Sequence, residues 1–145
     1  MQRCRLHTYT YIYGHGASCF CIQLIYSEYA EGTDPVEAKL VETILAGKEN
    51  GKLVAVGECG LDYDRLQFCT EDLQARGFRH QITLAERFKL PMFLHNRNTG
   101  GDFLKIVTEC RSSIVEGGLV HSFTGEIDEM LALVELGFFI GLKNY

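Results

Sequence analysis

The stretch "LVAVGECGLDYDRLQF", residues 53–68, decides the fold. With Lys52 before it, it opens on the short, β-branched apolar run "KLVAVG", residues 52–57, closed by glycine, which has the length and composition of a buried strand. A carboxylate, Glu58, follows that run directly, and Asp62 and Asp64 come after it. An acid at the end of a strand either caps a turn or builds a site. The surrounding chain discriminates between the two.

The same theme recurs three times. "LPMFLHNR", residues 90–97, is a short apolar strand that ends at His95. "GGLVHSF", residues 117–123, ends at His121, and "FFIGL", residues 138–142, supplies a fourth strand. Helical periodicity fills the intervals. Asp34 reads as a helix cap and Pro35 as the first helical residue. Val36, Leu40, Val41, Ile44 and Leu45 then recur at helical spacing, and Gly47 closes the turn. Residues 71–89 place Leu73, Phe78, Ile82, Leu84, Ala85 and Phe88 roughly on one side, with Gly77 a local weakness. Residues 102–110 and 126–136 form two more helices. This alternation argues for an α/β fold built of parallel βα units. Residues 1–30, rich in Tyr, Cys and β-branched side chains without a helical period, hold one or two strands. No linker rich in Pro, Gly or Ser interrupts the sequence, so residues 1–145 read as a single domain.

The bulk composition bounds the function. The chain has 145 residues, 46% of them apolar, enough for one domain with a real core. A charged fraction of 23% is not that of a disordered segment. The net charge of -5 provides no global basic field for nucleic acid, so a polyanionic substrate needs local Lys and Arg or bound cations. The six cysteines lack the C-x2-C pairs of a structural zinc site. No stretch reaches the length of a membrane span, and no secretory signal peptide is visible. The expected setting is intracellular, cytoplasmic or nuclear, with reduced cysteines.

Glu58, His95 and His121 stand at or just past the C-terminal ends of three successive strands, 37 and then 26 residues apart. In an α/β barrel such ends face one way, and the loops after them build the active site. The three groups would therefore converge. A carboxylate with two imidazoles is a ligand set for a divalent metal such as Zn, Mn or Mg. A metal there would acidify a bound water and polarise a phosphoryl or carbonyl oxygen. A single His at a strand end is ordinarily a hydrogen-bonded structural residue, and a single Glu there a capping one. It is the repetition at equivalent positions that favours a shared site. Asp62 is placed to support a ligand or a water, whereas Asp64 reads as a solvated turn former. Arg97, two residues past His95, is a candidate for a substrate phosphate. His7 and His80 have no evident partner and read as surface residues.

Three blocks carry a resemblance. "VAVGECGLDYDRLQF", "LPMFLHNRN" and "GGLVHSFTG" resemble signature segments of the TatD family of metal-dependent deoxyribonucleases, in its eukaryotic form. The helical Q-x3-F-x2-Q pattern at Gln74, Phe78 and Gln81 is also similar. The family-like part covers residues 34–141. The resemblance implies a TIM (β/α) barrel of the metal-dependent hydrolase type and cleavage of phosphodiester bonds in DNA, commonly as an exonuclease. It implies one or two divalent metal ions (Mg, Mn or Zn). Glu58 matches the carboxylate that bridges two metals, and His95 and His121 match the histidines of one of them. Glu58 and Asp62 are then the catalytic candidates. His15 and Cys19 fall at positions faintly similar to a further family segment.

The departures are as informative. Residues 1–13 do not resemble the family's first strand with its Asp-based motif, and the block that supplies a further metal-binding Asp does not occur before Tyr145. A closed barrel typically needs about 250 residues, and this length suits about four or five βα units. The expectation is thus a partial barrel that exposes strand edges and self-associates through its open face. Three functions follow: a DNase with reduced activity as the chain stands, a catalytically impaired fragment that binds a partner or decays, and a related hydrolase of other esters or amides.

Overall fold

The computed structural model describes residues 7–13, 17–23 and 35–142. Its elements follow the order β1 (His7–Tyr13), β2 (Ala17–Gln23), α1 (Pro35–Glu49), β3 (Val56–Asp62), α2 (Glu71–Phe88), β4 (Met92–Arg97), α3 (Asp102–Glu109), β5 (Gly118–Phe123), α4 (Ile127–Glu135) and β6 (Phe139–Leu142). Among the described residues these strands form one six-stranded sheet in sequence order, with β1 and β6 at its edges. β1 and β2 are antiparallel to each other. From β2 onward every neighbouring pair is parallel. Parallel neighbours joined by helices are the βα units that the alternating sequence predicts.

The main core lies between the sheet and its helices. β3 gives it Val56, Cys59 and Leu61, β4 gives Met92 and Leu94, and β5 gives Val120. The helices answer with Leu40 and Ile44 of α1, Phe78 and Ile82 of α2, Phe103 and Val107 of α3, and Leu133 of α4. Phe78 and Phe103 stack with ring centroids 5.3 Å apart, coupling α2 to α3. Because side chains alternate along a strand, the residues between these core positions face the other way. That second face carries a small cluster of Ala55, Phe93 and Leu119.

Several boundaries differ from expectation. α1 begins at Pro35 but runs past Gly47 to Glu49. Gly47 is not a stop signal: a Cβ there would lie 2.8 Å from the Leu53 Cβ, so glycine lets the returning chain pack close. The Gly47 carbonyl accepts the Lys52 and Leu53 N–H groups at 3.1 and 3.0 Å, which directs the chain into β3. Of the apolar residues that recur at helical spacing, Leu45 is 54% exposed, whereas Leu40 and Ile44 are buried. α2 passes through Gly77, which is buried, without interruption. It ends where Lys89 turns left-handed at φ 50° and the Leu90 N–H reaches the Ala85 carbonyl. The proposed cap Asp34 lies outside the described residues, as does His15, and so do the side chains of His7, Cys19 and Val36.

Candidate metal centre

The strands extend further than their apolar runs. β3 continues through Glu58 to Asp62, β4 through His95 to Arg97, and β5 through His121 to Phe123. Glu58, His95 and His121 therefore lie within the strands rather than at their ends, which corrects the sequence reading. The β3–β4 ladder explains the difference. It keeps Gly60 opposite His95 and Asp62 opposite Arg97 well past the last apolar residue, because backbone pairing is indifferent to the polarity of the side chains it carries.

Glu58 reaches the second face through an irregularity. The register between β3 and β4 shifts between Gly57 and Cys59. This shift leaves both Val56 and Cys59 in the main core and turns the intervening Glu58 away from it. His95 needs no such device, because it alternates with the core residue Leu94. Beneath the site, the Phe93 ring stacks on His121 with centroids 4.4 Å apart and planes within 9°. The imidazole is thus fixed in orientation as well as in place.

The resulting geometry is close. His121 Nε2 lies 2.6 Å from Glu58 Oε1, and His95 Nδ1 lies 3.0 Å from the same oxygen. Glu58, His95 and His121 each offer one ligand atom, and these atoms all fall within 4.8 Å of one another. Burial works against ionisation of Glu58, but the hydrogen bond from His121 and the close approach and charge of both imidazoles outweigh it and hold the carboxyl well below the usual carboxylate range. The donor set fits a divalent cation on a second count. His95 Nδ1 is buried and has no well-aligned hydrogen-bond partner, although it points at the carboxylate. A buried polar atom left this way is costly in a protein of ordinary function, whereas an imidazole nitrogen facing a cation is satisfied.

The surrounding residues hold this centre. Asp62 Oδ2 lies 3.6 Å from the other His95 nitrogen, Nε2, while its Oδ1 accepts the Asp64 N–H at 3.0 Å. His121 Nδ1 is 3.2 Å from the Ser122 hydroxyl. Each histidine thus has one nitrogen toward Glu58 and the other toward an oxygen, an arrangement that orients metal-binding imidazoles. In the short turn after β3, the Tyr63 hydroxyl donates to Asp102 of α3 at 2.8 Å. Burial and that bond raise the Tyr63 pKa.

Arg97 lies on the same strand face as His95, two residues nearer the strand end, and is half exposed. Its Nε donates to Asp64 Oδ2 at 2.8 Å and its Nη1 to the Thr124 hydroxyl at 3.1 Å. Asp64 also accepts from Asn98 Nδ2 at 3.1 Å. Asp64 is exposed in the short turn after β3, as the sequence reading has it, and it also ties that turn to the end of β4. The bonds from Arg97 and Asn98 hold its carboxyl below the usual range. His80 departs from its reading as a surface residue. It is half-buried on α2, with Nε2 3.9 Å from Glu37. Ser122 and Thr124 were not anticipated as site neighbours, although both flank His121 in the "HSFTG" segment that was read for that histidine alone.

Comparison with known proteins agrees with this geometry. A family model for TatD related DNase matches residues 15–145. A protein named deoxyribonuclease Tat-D from Schizosaccharomyces pombe is 41% identical over 124 residues, covering 86% of this chain and 40% of its own length. A 3'-5' ssDNA/RNA exonuclease TatD from Salmonella typhimurium is 35% identical over 104 residues, covering 72% of this chain and 39% of its own. Among solved structures, a hydrolase TatD family protein from Entamoeba histolytica superposes with a TM-score of 0.62 at 35% identity, over 74% of this chain and 37% of that one. The chain thus spans about two fifths of the length of the curated relatives it matches. Strand topology, the clustered carboxylate and imidazoles and these matches agree: the chain belongs to the TatD family.

Proposed function

We propose that this chain serves a divalent-metal-dependent hydrolase that cleaves phosphodiester bonds in DNA, most simply from a strand end as an exonuclease. The observation that carries the reading is the convergence of Glu58, His95 and His121 from three neighbouring strands onto one point. The names of the relatives, a deoxyribonuclease and a 3'-5' exonuclease, support the substrate class.

In this reading Glu58, His95 and His121 hold one or two cations, with Mg, Mn or Zn as the candidates. A bound cation supplies an acidified water and charge stabilisation at a phosphoryl oxygen. It also offsets the net charge of -5 for a polyanionic substrate. Asp62 faces the other nitrogen of His95 at 3.6 Å and orients the ring. Arg97 binds a substrate phosphate by exchanging its surface pairing with Asp64, a kind of pair worth about 1 kcal/mol or less, for a phosphate that its planar fork matches.

We further read residues 1–145 as one domain, an incomplete barrel with an atypical segment at 1–30, on the ground that one sheet runs from β1 to β6. Self-association at its open edge is supported by the exposure of Phe139 and Leu142 on β6. No helix is long and apolar enough to cross a membrane among the described residues. The same reading takes the setting to be intracellular, cytoplasmic or nuclear.

The test is nucleotide release from single- and double-stranded DNA by the purified protein with added Mg²⁺ or Mn²⁺. Metal-dependent release that Glu58→Ala lowers by about 100-fold or more is expected, since that change removes a ligand shared by the whole centre. Hydrolysis of small esters with no action on DNA would overturn the substrate assignment. Equal activity in Glu58→Ala would overturn the site.

A further inference from the structure

Gln74 stands in the first turn of α2, and its side chain is committed to the end of β3. Its Oε1 accepts the Asp62 N–H at 2.7 Å. Its Nε2 donates to the Asp62 carbonyl at 2.9 Å and to the Cys69 carbonyl at 3.0 Å. One carboxamide therefore satisfies both backbone polar groups of Asp62, much as a neighbouring strand would. The bond to Cys69 adds a tie to the loop that leads into α2.

Asp62 is the last residue of β3, and its pairing with Arg97 is the last of the β3–β4 ladder. Its backbone direction at that point decides where its side chain goes. The carboxylate is divided between two tasks. Oδ1 takes the Asp64 N–H, and Oδ2 faces His95 Nε2 at 3.6 Å. An oxygen facing Nε2 favours the ring orientation that turns Nδ1 toward Glu58. Among the described residues the Gln74 side chain hydrogen-bonds to Asp62 and Cys69 and to none of the three candidate ligands, and the path from it to His95 consists of one residue, bonded on one side and in near contact on the other.

We propose that Gln74 is a positioning residue for the metal centre, acting on His95 through Asp62. The inference rests on the metal-dependent reading of Glu58, His95 and His121. A residue that only anchored the strand end would affect unfolding and leave metal affinity in the folded protein unchanged.

The test is Mn²⁺ affinity by calorimetric titration of the full chain, with metal-free thermal unfolding measured alongside. Gln74→Met is expected to weaken Mn²⁺ binding by about 10- to 100-fold, the range for residues that orient metal ligands. Asp62→Ala is expected to weaken it comparably. The double variant should fall within about twofold of Asp62→Ala, because residues on one path do not add. Unchanged affinity in folded Gln74→Met, or losses that multiply in the double variant, overturns the proposal. Should Gln74→Met not fold, Gln74→Glu, which keeps an acceptor for the Asp62 N–H, carries the same comparison with the same outcomes. A parent chain that binds no Mn²⁺ overturns the metal reading and this proposal together. Binding that Glu58→Ala abolishes and folded Gln74→Met retains overturns this proposal alone.

Discussion

Glu58 concentrates the chemistry of this chain in a single oxygen. Two imidazoles approach Oε1, at 2.6 and 3.0 Å, and their approach and charge overcome the burial that would otherwise raise the pKa of the carboxyl. A carboxyl whose pKa is depressed by folding stabilises the fold above its unfolded value, and that contribution is lost as pH falls toward the folded value. The ordinary value is 4.5, so the metal-free protein should lose stability on acidification from about pH 5 downward. Glu58→Gln should flatten that loss, as measured by urea unfolding across the range. An identical pH profile in the variant would mean that the two histidines do not hold the charge of Glu58. At this scale the sequence was informative about residue identity and poor about connection. An acid or an imidazole following an apolar run is visible in one dimension. The bond that makes Asp64 a partner of Arg97 spans 33 residues, and no local pattern encodes it. The half-burial of His80 on α2 went unread for the same reason.

The strands and helices were legible wherever periodicity governed them, as in α2 with its buried Phe78, Ile82 and Ala85. They were illegible where close contact governed instead. Gly47 reads as a terminator in sequence and is a packing residue in space. The ends of β3 and β4 fall later than their apolar runs, because pairing persists through polar residues once a ladder is established, while β5 runs on past Val120 through an irregular pairing with β6. Gly60 shows how strictly the ladder is built. It has φ 141°, and an added Cβ would run into the His95 carbonyl oxygen of the adjacent strand. That obstacle is backbone and cannot turn aside. Gly60→Ala should therefore cost about 3 kcal/mol or more, combining strain with forced separation of β3 from β4. Equilibrium urea unfolding measures the cost. The same variant should weaken metal binding, since the displaced residue is His95. A loss below about 1 kcal/mol, the ordinary effect of a point substitution, would show that the strands part easily there.

Among the described residues the molecule is one sheet, parallel from β2 to β6 and backed by helices, with β6 at one edge. Ile127, Leu131 and Val134 form a single exposed apolar stripe on α4, and Phe139 is 75% exposed on the neighbouring strand. Sequence alone foresaw a partial barrel from its length and from the number of strand–helix repeats, but could not say which residues would line the open side. Leu131→Lys should leave stability within about 0.5 kcal/mol, as for a residue that buries little. It should also reduce any concentration-dependent association seen by size-exclusion chromatography. An unchanged elution profile across protein concentrations in both forms would argue against assembly through this face. The architecture matters for function because it brings Glu58, His95 and His121 to one point from three strands. The most direct test of that convergence is anomalous scattering from a crystal of the protein grown or soaked with Mn²⁺ or Zn²⁺. A peak about 2.0–2.3 Å from the Glu58 carboxylate, His95 Nδ1 and His121 Nε2 is expected. A fully occupied metal elsewhere, with no peak beside these three side chains, would contradict a metal centre at this place.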